Sequence, residues 1–542
     1  MSLRRIALSL IGLLVLFVLV AAPLAGWPPV VRLPAVLAPA IVLALLVMKP
    51  WHSKDLGQFV IDWQPARRVI LVTAGIVGCV LFWYVMTRFR SGEINAVDFT
   101  VYFDRPCFQT TQGRPLFVEA SDTPGYSQRS ELADHAYWAM LPICSVYAIT
   151  PSPYWLHALS VLAIVAGAFL ILRILQETGA GGVLACATAF AFILNDNTSR
   201  AMNYGFHPEV LYACSIPWMI LAGLRGQRRS FLLAVLATVL IKEDALLPIF
   251  AATVALAFAR FRKMSREERG LFLVLPNVLA FANLAVFYSY VVPMLTGKSV
   301  PTYQHFWANF GATPTQVVVG MLSDPSRVLT GVIASGIIKV VMPHLFLPVV
   351  GWRWTMGLLP LIALYGASAN EQVRGFGIYY ALVLVPFLII GASVGALNVV
   401  RRFVRHEGHA QLVAACLVLG GALFVGGGHR GYSVRPWRIS TSGVREALTR
   451  LPDERTVLIQ SGLFPHAGYS EQAVLLTPET LRDPRNADAT VLIAIRLSPY
   501  PYLRPDLLPL ATLPRVAEMP AGIIALRAGD VLKRLHPKDP LM

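Results

Sequence analysis

Residues 231–260 read FLLAVLATVLIKEDALLPIFAATVALAFAR. Two apolar arms, Leu232–Ile241 and Ala245–Ala259, flank three consecutive charges, Lys242-Glu243-Asp244, and basic loops (Arg225–Arg229 and Arg260–Arg269) bound the pair. A simple turn between such arms would use Gly, Asn or Pro. The arms are also short, since a full bilayer crossing takes roughly 20 residues. The triplet therefore sits within the half of a membrane away from the basic loops, or at its edge. Ionisable groups at that depth are costly and mark functional candidates.

The rest of the chain has the same character. Of its 542 residues, 56% are hydrophobic and 14% charged, where a soluble chain carries roughly 25% charged residues. Mean hydropathy is +0.60. Apolar runs divide the chain into about 13 spans: 6–26, 33–48, 69–87, 153–174, 182–195, 209–224, 230–241, 245–259, 270–292, 328–350, 354–368, 376–396 and 410–427. The first run, Ile6–Gly26, follows Arg4 and Arg5 as a signal peptide would. It lacks an A-x-A cleavage site and Leu33–Met48 follows at once, so it reads as a retained span.

The net charge of +16 would suit nucleic acid until the charges are located. Alternate loops hold Arg4, Arg5, Lys49, Lys54, Arg67, Arg68, Arg173, Arg225, Arg228, Arg229, Arg260, Arg262, Lys263, Arg266, Arg269, Arg353, Arg401, Arg402 and Arg405. The other short loops hold Arg32, Arg200, Lys242, Lys298, Arg327 and Arg374. This asymmetry follows the positive-inside rule. The basic excess is topology, and nucleic acid is not a partner. It predicts a multi-pass protein of the cytoplasmic (inner) membrane with its N-terminus in the cytoplasm. The six cysteines show no CxxC or metal-ligand spacing. Cys107 and Cys144 fall on the same outer side, which permits a disulfide without requiring one.

Two further features break the up-and-down pattern. A long outer segment, Arg88–Tyr137, holds seven acids against five Arg; loops of this length are usually functional. After it, Tyr137–Ile149 is amphipathic and too short to span, so it is expected in the interface plane, and Thr150-Pro-Ser-Pro starts the next helix. Near Gly431 the hydropathy drops. A helix-like stretch, Thr441–Arg450, precedes strand-like runs at Thr456–Gln460, Ala473–Leu476, Thr490–Ile495 and Gly522–Leu526. The expected architecture is an α-helical polytopic membrane protein with a small C-terminal α/β domain outside the cytoplasm. Its parts are residues 1–68 (two N-terminal spans and a cytoplasmic loop), 69–430 (the transmembrane core, with outer loop 88–137) and 431–542 (the α/β domain).

Span parity gathers Asp98, Asp104, Asp134, His135, His207, Glu209, Lys242, Glu243 and Asp244 at the outer side, from three stretches of chain. Each has a bland reading. Asp98 would cap a helix starting near Phe99, and Asp134-His135 the interfacial helix. Pro208 and Glu209 are ordinary helix-start choices, and His207 with Glu209 lacks convincing metal spacing. The triplet would be an ion-pair cluster locking its own hairpin. The functional reading gives Lys242 a phosphate to bind, with Glu243 or Asp244 orienting it.

Asp98-Phe-Thr-Val-Tyr-Phe-Asp104, Gln112-Gly-Arg-Pro-Leu-Phe117, Asp134-His135 and Pro142 resemble the first outer loop of a large prokaryotic family of predicted membrane proteins. The resemblance continues through Phe206-His-Pro-Glu209, Lys242-Glu-Asp244, Tyr379-Tyr380 and Pro386-Phe387, and into Phe464-Pro-His466 and Ala487-Asp488. It spans residues 95–495, and the FHPE and KED motifs are specific. The two spans before residue 69 depart from the pattern. That family is grouped with the GT-C superfamily of polyprenyl-phosphate-sugar-dependent glycosyltransferases. The resemblance implies a GT-C-like core and an inverting transfer from a polyprenyl-phosphate-linked sugar donor to an envelope glycan, lipid or protein acceptor. Asp98 and Asp104 would be catalytic, with Asp98 as general base. Asp134, His135, His207, Glu209, Lys242, Glu243 and Asp244 would bind substrate, with an optional divalent metal (Mg or Mn). No P-loop or GxGxxG before a helix is present, in keeping with a donor that carries no nucleotide. Competing readings are a transporter or flippase, which would show paired broken helices, a non-catalytic envelope-assembly scaffold, and another lipid-phosphate enzyme.

Overall fold

The computed structural model describes residues 58, 60–62, 67–94, 97–119, 129–298, 301–425, 443–451, 456–470, 472–495, 504–519 and 522–536. The expected spans 6–26 and 33–48 lie outside these residues. The chain is mainly helical. Leu71–Arg90, Tyr154–Glu177, Glu243–Lys263 and Arg266–Thr296 are long and apolar enough to cross a membrane. A fifth crossing results if Pro325–Ile333 and Ile337–His344, bent by 54°, count as one.

Hydropathy alone predicts more spans in this region. Several runs fold instead as shorter helices, among them Gly182–Ile193 and Arg228–Val239. Gly182–Ile193 stops because Asn195 caps a new helix, its side chain accepting from the Asn197 N–H. Arg228–Val239 stops at the charged triplet, where Lys242 is extended and Glu243–Ala245 forms a single 3-10 turn.

Helix Arg67–Arg90 leaves Val72, Ile76, Val80 and Trp83 more than half exposed along one stripe. Val274, Val278 and Phe281 do the same on Leu275–Val286 and the turn before it. Exposed apolar stripes of this kind mark surface that meets lipid or another protein. Inside, Tyr154–Glu177 packs on Tyr212–Arg225 so closely that a Cβ at Gly167 would collide with the Ala213 carbonyl oxygen. Tyr212–Arg225 is about 21 Å long at 1.5 Å per residue. Its C-terminal end carries Arg225, ion-paired with Glu177, and its N-terminal end meets the residues of the FHPE motif.

The described residues of the outer loop form short elements. Val97–Asp104 is a π-helix that continues into the α-helix Arg105–Thr111. A short hairpin pairs β1 (Phe117–Val118) with β2 (Arg129–Ser130). The expected interfacial helix is two short turns, Met140–Cys144 and Ser145–Ala148. A disulfide joins Cys107 to Cys144.

In the tail, β3 (Val457–Ile459), β4 (Ala473–Leu475), β5 (Thr490–Ile493) and β6 (Ile524–Arg527) form a sheet of order β4-β3-β5-β6. Its first three strands are parallel, and β6 is antiparallel to β5. The strands lie where short β-branched runs predict them, and helix Gly443–Thr449 precedes them. The sheet shares its core with the outer loop: Val101 and Val118 pack among Val457, Ile459, Leu475 and Leu492. Tail and outer loop therefore occupy one face of the molecule.

Candidate functional site

The FHPE segment is shaped by Gly205, whose φ of +110° is closed to residues with a side chain. A Cβ there would also stand 3.0 Å from Ile94 and 3.1 Å from Phe99, so the segment lies directly against the outer loop. Pro208 then opens a 3-10 turn, and Glu209 follows it in the first turn. The helix-start reading holds for the backbone, while the side chains do something else. Glu209 accepts a hydrogen bond of 2.6 Å from Lys242 Nζ through Oε1 and meets His207 Nδ1 through Oε2. All three side chains are buried. Burial lowers the His207 pKa, and Glu209 opposes that shift.

Each member of the charged triplet binds a different part of the fold. Glu243 faces His135 Nδ1 at 2.9 Å, and accepts from the Ala136 N–H at 2.9 Å and the Tyr303 hydroxyl at 2.8 Å. Asp244 accepts from the hydroxyls of Tyr212 at 3.0 Å and Tyr365 at 3.2 Å. An ion-pair cluster internal to the hairpin is not what forms. The triplet is a hub that ties the hairpin to four other stretches of chain, and buried charges need such partners.

Asp98 lies in the first turn of the π-helix, within electrostatic reach of Glu209, Glu131 and Tyr379. Burial, and then the charge of Glu209, raise its carboxyl pKa to about 7. Aromatic rings wall the cluster. Tyr379 stacks on His207 at 3.7 Å, Phe103 meets the same imidazole edge-on at 4.8 Å, and His135 stacks on Tyr303 at 4.6 Å. Phe376 and Ile378, just before Tyr379, adopt φ of 50° and 56°, a backbone conformation that is costly outside glycine.

The structure thus brings together Asp98, His135, His207, Glu209, Lys242, Glu243 and Asp244. Asp134 is buried as well, but it pairs with Arg129 instead of capping the next helix. Asp104 does not join them. It is buried on the tail side, accepting from the Tyr147 hydroxyl at 2.7 Å and the Tyr469 hydroxyl at 3.1 Å. Burial raises its pKa to about 6, with both tyrosines opposing the shift. Glu131 was missed by the sequence reading. It is buried, and burial followed by the charge of Asp134 holds its pKa well above the usual range. In sequence it resembles any acid in the first turn of a Ser-capped helix. Among the described residues, no group of three or more His, Cys, Asp or Glu side chains could hold a metal ion.

Residues 94–494 match the family described as Predicted membrane protein (DUF2079). No curated protein matches the chain in sequence. Among solved structures, ArnT from Cupriavidus metallidurans bound to undecaprenyl phosphate is similar at a TM-score of 0.44 and 12% identity, over 85% of this chain and 98% of that one. Its apo form gives 0.45 and 12%, over 86% and 99%. The arabinofuranosyltransferase AftD from Mycobacteria gives 0.43 and 15%, over 86% of this chain and 42% of that one. None of these likenesses assigns a chemistry to the chain.

Proposed function

We propose that this chain, which belongs to the DUF2079 family of predicted membrane proteins, is an inverting membrane glycosyltransferase of the GT-C type. The observation that carries the reading is the placement of the Asp98 carboxyl within electrostatic reach of Glu209 and its buried partners His207 and Lys242 at one end of an apolar helix bundle, where burial and Glu209 push its pKa up to about 7. A base whose pKa lies near the operating pH suits general-base catalysis. The donor is a sugar on a polyprenyl phosphate, its isoprenoid chain lying along the lipid-facing helices, and the acceptor is an envelope glycan, lipid or protein.

Asp98 takes the proton of an acceptor hydroxyl as the acceptor oxygen attacks the anomeric carbon. The bond from that carbon to the phosphate oxygen breaks with its electron pair going to phosphate, and configuration inverts. Among the described residues, Lys242 Nζ makes one hydrogen bond, to Glu209. An ammonium has three N–H groups, so others are left for the departing phosphate oxygen. Stabilising charge that develops there is the largest contribution such a site can make. Glu209 orients both Lys242 and His207. Glu243 and Asp244 hold the triplet in place, with His135 and Asp134 at the acceptor side. The cytoplasmic N-terminus and the outer placement of loop and tail belong to the same proposal.

The test is transfer of radiolabelled sugar from polyprenyl-phosphate donors in proteoliposomes. Wild type is compared with Asp98→Asn and Lys242→Ala variants that elute as monodisperse protein. Donor-dependent product from wild type, lost in both variants, is expected. Absence of turnover with every donor and acceptor extract, with lipid binding indifferent to both substitutions, sinks the reading in favour of a transporter or scaffold.

A further inference from the structure

The helix that carries Asp98 is held from its other end by the tail. Tyr469 donates to Asp104 Oδ1 at 3.1 Å while its ring stacks on Phe108 at 4.4 Å and 13°. Arg105, the next residue, donates to the carbonyls of Ser470 at 3.0 Å and Gly468 at 3.4 Å, and its guanidinium lies 4.5 Å from the Phe464 ring. His466 Nε2 meets the Phe89 carbonyl at 2.9 Å, its ring 4.6 Å from that of Phe89. Phe89 in turn packs edge-on against Phe99, beside Asp98. Val101, midway along the helix, belongs to the core of the tail sheet. One short helix is therefore shared, its bundle side carrying Asp98 and its tail side built into a separate core.

A π-helix of eight residues has little stability of its own, since such turns are rare and occur mostly as single-turn bulges at functional sites. Its position is set by what grips it. We propose that Tyr469, acting through Asp104 and with Arg105, is a positioning residue, so that tail segment Phe464–Ser470 fixes the helix that presents Asp98 to the Lys242 network. This inference rests on the glycosyltransferase reading for its catalytic consequence, though the mechanical coupling stands apart from it.

Tyr469→Phe removes the hydroxyl and keeps the ring. Hydrogen exchange by mass spectrometry on the full chain in nanodiscs should show the amides of 97–104 exchanging about tenfold faster, with 207–211 unchanged. In the transfer assay kcat should fall about tenfold at unchanged donor KM, and the acid limb of its pH profile should move to lower pH as Asp98 draws away from Glu209. Arg105→Lys, which leaves the tail untouched, should give the same pattern and serves if Tyr469→Phe does not fold. Unchanged exchange at 97–104 in a folded variant overturns the proposal, as does faster exchange spread evenly over bundle and tail. Faster exchange confined to 97–104 with no transfer by wild type upholds the coupling and removes the catalytic reading instead.

Discussion

Asp98 and Asp104 lie six residues apart on one helix, and the molecule treats them oppositely. Asp98 faces a network of charges: Glu209 raises its pKa, and Lys242 stands behind Glu209. Asp104 faces two tyrosine hydroxyls and a sheet. Both carboxyls are pushed upward by burial, so a shifted pKa alone does not mark the catalytic one. What separates them is the chemistry of the neighbours. Charged neighbours can follow a reaction in which charge moves. Neutral hydroxyls with fixed geometry hold a position.

The comparison breaks most directly at Asp98. Asp98→Asn should lower kcat by about 10²–10⁴-fold, measured by single-turnover sugar transfer. It should also raise thermal stability at pH 8 and leave it unchanged at pH 4. The sign follows from a folded-state pKa above the unfolded one: the stability this group contributes is full below pH 4 and is lost as pH rises through 7. If Asp104→Asn caused the larger loss of kcat, the assignment of roles would be reversed.

Next in size is the network itself. Lys242→Ala should cost roughly 3–5 kcal/mol by leaving Glu209 buried beside an empty partner position, and adding Glu209→Gln should recover part of it. Thermal unfolding in detergent reads both. The disulfide sharpens the tail-side half of the comparison. It closes a loop of 37 residues, and Cys107→Ser should cost about 3–4 kcal/mol on the chain-entropy account while leaving the acid limb in place. The smallest effect is a shift of that limb. Wild-type kcat should fall about tenfold for each unit below pH 7, and Glu209→Gln should move the limb to lower pH because the charge that raises Asp98 is gone.

Much of this was legible in sequence. The triplet stood out because three charges interrupt apolar arms, and FHPE because Pro and Glu mark a helix start beside an ionisable His. The tail strands were visible as short β-branched runs between polar breaks, and β3, β4 and β5 fall within the expected limits. Side-chain direction was not legible. Span parity assigns Asp98 and Asp104 to one side of a membrane, yet residues six apart on a helix do not share a face. The tyrosines that satisfy Asp244 and Glu243 come from positions 212, 303 and 365, and nothing local marks a hydroxyl that will meet a carboxylate 32 to 121 residues away. Helix length was not legible for a related reason. A run of 12 apolar residues is as well satisfied by protein neighbours as by lipid, and hydropathy cannot tell the two apart.

The bond between Tyr469 and Asp104 joins residues 365 apart, and that separation is also a delay. A ribosome adding about 5–20 residues each second releases the loop helix roughly 20–70 s before its anchor exists. Throughout that interval the bundle can assemble around His207 and Lys242 while the helix bearing Asp98 still lacks its outer support. The order of contacts becomes an order in time, with the last-made part of the chain closing the site, and a nascent chain that stops short of residue 464 carries every charged residue of the cluster without the grip that sets one of them in place.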